Sequence, residues 1–360
     1  MIQKIWFTLV WSFVKLGLFF YSKKITVLGR KNIPKKGAVL FAVNHPNGLV
    51  DPLYVTTTNN RQNHFLVRAA SFKKPFIKKI LESLYLMPIY RIRDGIKQLS
   101  NNQEIFEKCY TILNNGDTLM IFPEGSHDKK RTVRPLSKGF TRIVSGALEK
   151  YKNLEITVIP VGITYQHPSH FPAKVTVNYG KPIVTREIFD SNTPAKSINI
   201  LKGKVSEQLK TLSVHITDDE NYEATLQKLN NAQVDFTDVN KVNEMIKNNL
   251  FNAKKSPKKN YLKPLFYLII LNSFIPFLLW KKATKKIDEI EFIDTFRFSF
   301  NLFLFPLFLS IRAWIISIYF GNTVGYFYLT ISAFVILLYA KFAPTNAKNH
   351  KEFNKAGKQV

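Results

Sequence analysis

His45 and Asp51 stand six positions apart, directly after the apolar run of residues 39–43. A histidine held by a carboxylate takes a proton from an alcohol near neutral pH, because the carboxylate fixes the tautomer and stabilises the imidazolium. On a regular helix six residues turn through ~600°, which leaves the two side chains on different faces. Pro46, Asn47 and Gly48 are turn formers, so a loop is expected to fold Asp51 back beneath the imidazole. In Phe122-Pro123-Glu124-Gly125-Ser126 an apolar strand ends abruptly at Pro123. Glu124 then sits at the strand's carboxyl edge, where sites in open α/β sheets gather. Gly125 admits a close backbone approach, and its N–H is a candidate donor to developing negative charge. With His45 already the base, Glu124 is expected to orient a substrate hydroxyl or to support the basic site.

Fixed cations for an anionic ligand occur in two places. Arg91 and Arg93 occupy alternate positions just beyond a strand. Such positions share a face, a geometry suited to bidentate phosphate binding. Lys129, Lys130, Arg131, Arg134 and Lys138 crowd the loop after Glu124. Most of these read as a solvated basic face, with Arg91, then Arg131 and Lys138, as the leading phosphate contacts. A covalent route is disfavoured: there is no G-x-S-x-G elbow, Cys109 has no activating neighbours, and Ser126 ranks well below His45. His127 and Asp128 are adjacent with no third ligand in view, so no metal centre is expected. A single cysteine excludes an internal disulfide.

The elements that must position these residues alternate in type between residues 24 and 183. Short apolar runs at 25–28, 38–43, 64–69, 87–90, 118–122, 156–163 and 174–179 read as strands. Amphipathic stretches lie between them, such as Ile105, Phe106, Cys109, Ile112 and Leu113 at helical spacing. The pattern predicts an α/β fold with a mixed, largely parallel sheet flanked by helices. Residues 24–213 are read as this catalytic domain, and 214–260 as a polar helical segment ending in a basic linker.

The 360-residue chain carries a net charge of +27, which calls for an anionic partner. Its 30 phenylalanines and 15 tyrosines, dense at the two ends, favour a membrane over nucleic acid. No nucleic-acid recognition module is visible. Residues 1–23 are read as a membrane-contacting helix with Lys15 snorkelling, in preference to a core helix or a cleaved signal peptide. Apolar pieces at 262–280, 298–320 and 325–342 follow, against a requirement of ~20 residues for a span. Lysines at 281, 282, 285 and 286, and more in the basic tail of 343–360, favour a cytoplasmic face for both. The first piece is therefore expected to dip in and return, bent near Asn272 and Pro276, and the other two to form a hairpin. Arg312, inside the second piece, is expected to face protein or to snorkel.

Four blocks resemble the glycerolipid acyltransferase family. They are His45 with Asp51, Pro88 to Arg91, Phe122 to Ser126, and Val158-Ile159-Pro160-Val161-Gly162-Ile163, in order across about half of the chain. The resemblance implies an acyl-CoA or acyl-carrier-protein donor, a glycerol-phosphate acceptor, His45 as general base and Asp51 as its partner. It implies no cofactor beyond the acyl thioester co-substrate. Most members place four residues between histidine and aspartate, whereas this chain has five. That longer block, residues 219–226 and the C-terminal apolar segments resemble the yeast-type branch that acylates glycerol-3-phosphate and dihydroxyacetone phosphate. On this reading His45 deprotonates the acceptor hydroxyl, which attacks the thioester directly. The competing reading is a non-catalytic membrane protein that binds anionic lipid. It accounts for the charge and the apolar segments but not for the ordered blocks.

Overall fold

The computed structural model describes residues 2–90, 100, 102–190, 192–251, 253, 255–287 and 292–347. Arg91 and Arg93 lie outside the described residues. The strands are β1 (Ser22–Leu28), β2 (Ala38–Val43), β3 (Asn63–Arg68), β4 (Leu86–Ile89), β5 (Thr118–Ile121), β6 (Ile156–Tyr165), β7 (Ala173–Tyr179) and β8 (Ile183–Val184). They form one sheet in the order β1-β7-β6-β2-β5-β3-β4, with β8 added against β6. All pairs are parallel except β6 with β7 and β6 with β8. The mixed, largely parallel α/β sheet is the expected one. All six residues of β2 are apolar and buried, because helices cover both faces of the sheet there.

The helices are α1 (Ile2–Tyr21), α2 (Val50–Thr58), α3 (Pro75–Ser83), α4 (Asn102–Asn114), α5 (Gly139–Lys150), α6 (Pro194–Leu212), α7 (Tyr222–Asn231), α8 (Val239–Lys247), α9 (Lys263–Asn272), α10 (Phe274–Thr284), α11 (Ile293–Phe320) and α12 (Asn322–Phe342). On one face of the sheet α4, α5 and α6 bury Leu113, Phe140 and Val205 against Leu40 and Leu119. On the other, α1, α2 and α11 bring Leu18, Tyr54, Phe298 and Leu302 onto Phe41, Val161 and Val175. The apolar helices α1 and α11 thus complete the core of the α/β domain. They meet closely at Gly17, where an added Cβ would lie 2.3 Å from Leu302 Cδ1.

Residues 214–247 have a third core of their own, around Ile216, Leu226, Leu229 and Phe236. This segment packs directly on the domain. Gln166 donates to the Val234 carbonyl and accepts from the Phe236 N–H, and Thr176 Oγ1 donates to the Thr237 carbonyl.

Among the described residues three helices are long and apolar enough to cross a membrane: α1, α11 and α12. The pair α9 and α10 bends by 94° at Ser273, between the two residues singled out for the bend. Arg312 of α11 points at that break, where it donates to the main-chain and side-chain oxygens of Asn272. There a cation meets the carbonyl end of α9, which the helix dipole favours.

Candidate active site

Three neighbouring parallel strands deliver the site to one edge of the sheet. In the order β6-β2-β5 they end in Tyr165, in the loop carrying His45, and in the turn carrying Glu124. The entry to the loop is fixed first. Asn44 exchanges two side-chain hydrogen bonds with the main chain of Ile163, at 3.1 and 2.7 Å. The His45 carbonyl accepts from the Asp128 N–H at 3.0 Å. The imidazole stacks on Phe122, 4.0 Å between ring centroids, and its side chain is 15% exposed.

His45 Nδ1 lies 2.9 Å from Asp51 Oδ2. The sequence reading set both residues on one loop. Instead the loop ends at residue 49, and Asp51 occupies the first turn of α2. Pro52 suits a first turn, and an acidic residue there is favoured by the helix dipole. Asp51 is fully buried and also accepts from the Asn47 N–H at 2.7 Å and from the Tyr165 hydroxyl at 2.6 Å. Burial holds its carboxyl well above the usual carboxylate range, Tyr165 and Asn47 oppose the rise, and the nearby charge of Asp294 adds to it. The carboxyl at Nδ1 fixes the tautomer and orientation of the ring.

Glu124 Oε2 receives Arg134 Nη2 at 2.6 Å and Nε at 3.1 Å. Its carboxyl is raised by burial and pulled back by Arg134 and by His45. Arg134 also donates to the Ser126 hydroxyl at 2.7 Å, so the turn after β5 is knit by one guanidinium. Sequence reasoning counted Arg134 among the solvated cations. In sequence it is only an arginine ten residues after an acid, and the fold is what pairs them. Gly125 adopts φ 76°, the left-handed region, and its N–H donates to the Phe122 carbonyl at 3.1 Å. That donor closes the turn after β5.

The two remaining candidates are placed differently. Arg131 donates to the carbonyls of Tyr165 and Gln166 at 2.9 and 3.0 Å and lies 3.6 Å from the Phe236 ring centre. Its burial lowers its pKa to about 10. It therefore ties the basic loop to β6. Lys138 is exposed at the N-terminus of α5 and does not line the cleft. The cleft itself, open to solvent, is lined by His45, Glu124, Lys129, Arg131, Tyr165 and neighbours. Among the described residues no group of three or more His, Cys, Asp or Glu could hold a metal ion.

The structure thus sets a histidine–carboxylate pair at the carboxyl edge of a largely parallel sheet, in an open cleft. Residues 24–164, under half of the chain, match the family model described as Acyltransferase. It is 24% identical over 121 residues to glycerol-3-phosphate O-acyltransferase 1 of Saccharomyces cerevisiae, covering 32% of this chain and 16% of that protein. It is 28% identical over 202 residues to a probable 1-acyl-sn-glycerol-3-phosphate acyltransferase of Mycoplasma pneumoniae, covering 54% of this chain and 70% of that one. The matched region thus spans about a sixth of the yeast relative's length. The solved 1-acyl-sn-glycerophosphate acyltransferase PlsC of Thermotoga maritima aligns with a TM-score of 0.42 and 18% identity, over 60% of this chain and 83% of that one.

Proposed function

We propose that the protein transfers a fatty acyl group from an acyl thioester to the hydroxyl of a glycerol-phosphate acceptor: glycerol-3-phosphate, dihydroxyacetone phosphate or 1-acylglycerol-3-phosphate. The observation that carries this reading is His45 held by a buried Asp51, 2.9 Å apart at the wall of an open cleft. With Nδ1 bound to Asp51, Nε2 is the nitrogen that takes the hydroxyl proton as the oxygen attacks the thioester carbonyl. The new C–O bond forms, the C–S bond breaks, and the imidazolium returns its proton to the departing thiolate. No covalent acyl-enzyme is needed, and the co-substrate is an acyl-CoA or an acyl carrier protein. The domain is seated on the cytoplasmic face of a membrane, with α9 and α10 dipping in and returning and α11 and α12 forming a hairpin. The 94° break at Ser273 supports that path. Opposite-face labelling of cysteines placed at residues 281–286 and in the tail would overturn the topology.

The function is tested with purified protein, one acyl-CoA and the three acceptors. His45→Ala is expected to lower transfer by about 10²–10⁴-fold, the contribution of a positioned general base. Unchanged transfer overturns the mechanism. Lipid binding without transfer by the wild type would favour a non-catalytic lipid-binding protein.

A further inference from the structure

Asp294 is a second carboxylate buried beside the dyad, and the proposed reaction makes no use of it. It stands in the first turn of α11, with a side chain 1% exposed, 3.8 Å from Arg297 of the same helix. Oδ1 accepts from the Tyr21 hydroxyl at the end of α1. Oδ2 accepts from Asn47 Nδ2 at 2.9 Å. Asn47 is the hinge of the arrangement. Its side-chain amide also donates to the Pro168 carbonyl at 2.8 Å, while its main-chain N–H donates to Asp51 at 2.7 Å.

The next residues of the loop rest on the same helix turn. Thr295 Oγ1 accepts from the Leu49 N–H at 3.0 Å. Between them Gly48 lies flat on α11, where an added Cβ would come within 2.8 Å of Thr295 Oγ1 and 3.3 Å of the Phe292 ring. Asn47, Gly48 and Leu49, the span between the base and its partner, therefore sit on one helical turn nearly 250 residues away in sequence. A general base must be held to within about half an ångström of its productive position, and a displacement of about 1 Å costs about 100-fold in rate.

We propose that Asp294 and Thr295 are positioning residues for the His45–Asp51 dyad. The first turn of the apolar helix α11 holds the loop that carries the base, so the site is complete only with that helix docked on the α/β domain. This inference rests on the reading of His45 as the base. It is tested with full-length protein in detergent micelles, using palmitoyl-CoA and each of the three acceptors. Thr295→Val, which removes the acceptor for Leu49, and Gly48→Ala, which wedges the contact open, are each expected to lower kcat about 10–100-fold. KM for both substrates should stay within about twofold, and Thr295→Ser should restore most of the rate. Because both substitutions act through one contact, the G48A/T295V protein should be no worse than its weaker parent, whereas independent effects would multiply.

A second readout needs no substrate: carbethoxylation of His45 by diethyl pyrocarbonate, followed by peptide mass, should be several-fold faster in T295V and Asp294→Ala than in wild type or T295S. Wild-type kcat and wild-type His45 reactivity in T295V and D294A overturn the inference, as do losses that multiply in the double variant. An inactive H45A beside a fully active T295V removes the clamp and leaves the base. A fully active H45A removes both.

Discussion

Asp51→Asn is expected to weaken the dyad without turning the imidazole over. In the wild type Asp51 Oδ2 receives both His45 Nδ1, at 2.9 Å, and the Asn47 N–H, at 2.7 Å, while Oδ1 receives the Tyr165 hydroxyl at 2.6 Å. A main-chain N–H can only donate, so the amide oxygen of the new asparagine must take the place of Oδ2. Its NH2 group then faces Tyr165, whose oxygen can accept. His45 keeps an acceptor at Nδ1, and the tautomer with Nε2 as base survives. What is lost is the charge. A hydrogen bond to a charged group contributes about 1.5–3 kcal/mol against about 0.5–1.5 for a neutral one, so about 1–1.5 kcal/mol, or roughly tenfold in kcat, is the expected cost. Inversion of the tautomer would instead cost about 10⁴-fold. Without the negative charge the imidazolium is less stable, so the acid limb of kcat/KM moves to lower pH. The assay is acyl transfer by the purified variant across about pH 5–9, the range in which such a base titrates. A loss near 10⁴-fold, or a limb displaced upward, would refute the argument that Asn47 orients residue 51.

Tyr165→Phe should move the limb the other way. Tyr165 lowers the Asp51 carboxyl, so its removal makes the dyad hold a proton more tightly and the same pH profile shifts upward. Arg134→Ala leaves Glu124, with 3% of its side chain exposed, as a buried acid without its cation. Breaking such a pair costs about 3 kcal/mol at neutral pH, a drop of roughly 6–12 °C in melting temperature. Glu124 is raised above its ordinary value and is raised further without Arg134. The native state then binds the extra proton, so the deficit should shrink as pH falls through that raised value and be fully present above it; melting in detergent at acid and neutral pH checks this. Burial pushes the Cys109 thiol up to about 12. A maleimide near neutral pH should therefore label it only after unfolding, and fast labelling of native protein would mean that α4 is not packed on the sheet.

The sheet was legible because its central strands are buried on both faces. Such strands read as unbroken apolar runs, as in residues 38–43 and 156–163, and the two β–helix–β stretches around them can hardly be read otherwise. β8 was not legible, since two residues carry no periodicity. The dyad was legible as a pair but not as a geometry: Pro46 to Gly48 announce a turn, while the start of α2 at Val50 is set by packing of Val50, Tyr54 and Val55 into the core. Asp294 and Thr295 left no local trace. An acidic residue at the start of an apolar helix is an ordinary helix beginning, and only the fold brings it beneath Asn47.

The basic loop shows why a count of cations near a motif does not measure the field offered to a ligand. Of the residues that crowd positions 129–138, Arg131 is spent on two carbonyls and a phenyl ring, Arg134 on Glu124 and Ser126, and Lys130 on Asp218 at 2.7 Å. The loop is held from behind as well, by Ile216 and Tyr222 on the main chain of Arg131 and by His215 on that of Val133. These contacts use charge to fix a wall of the cleft. A fixed wall is what a direct transfer requires, because the hydroxyl, the imidazole and the thioester carbonyl must meet in one geometry and no covalent step holds any of them in place. The same reasoning applies to the carboxylates around His45. Glu124 and Asp294 are each met by an arginine, and Asp51 by a hydroxyl, an amide and the imidazole itself. Of these three, Asp51 is the one whose carboxyl has no guanidinium against it, and it is the one that touches His45.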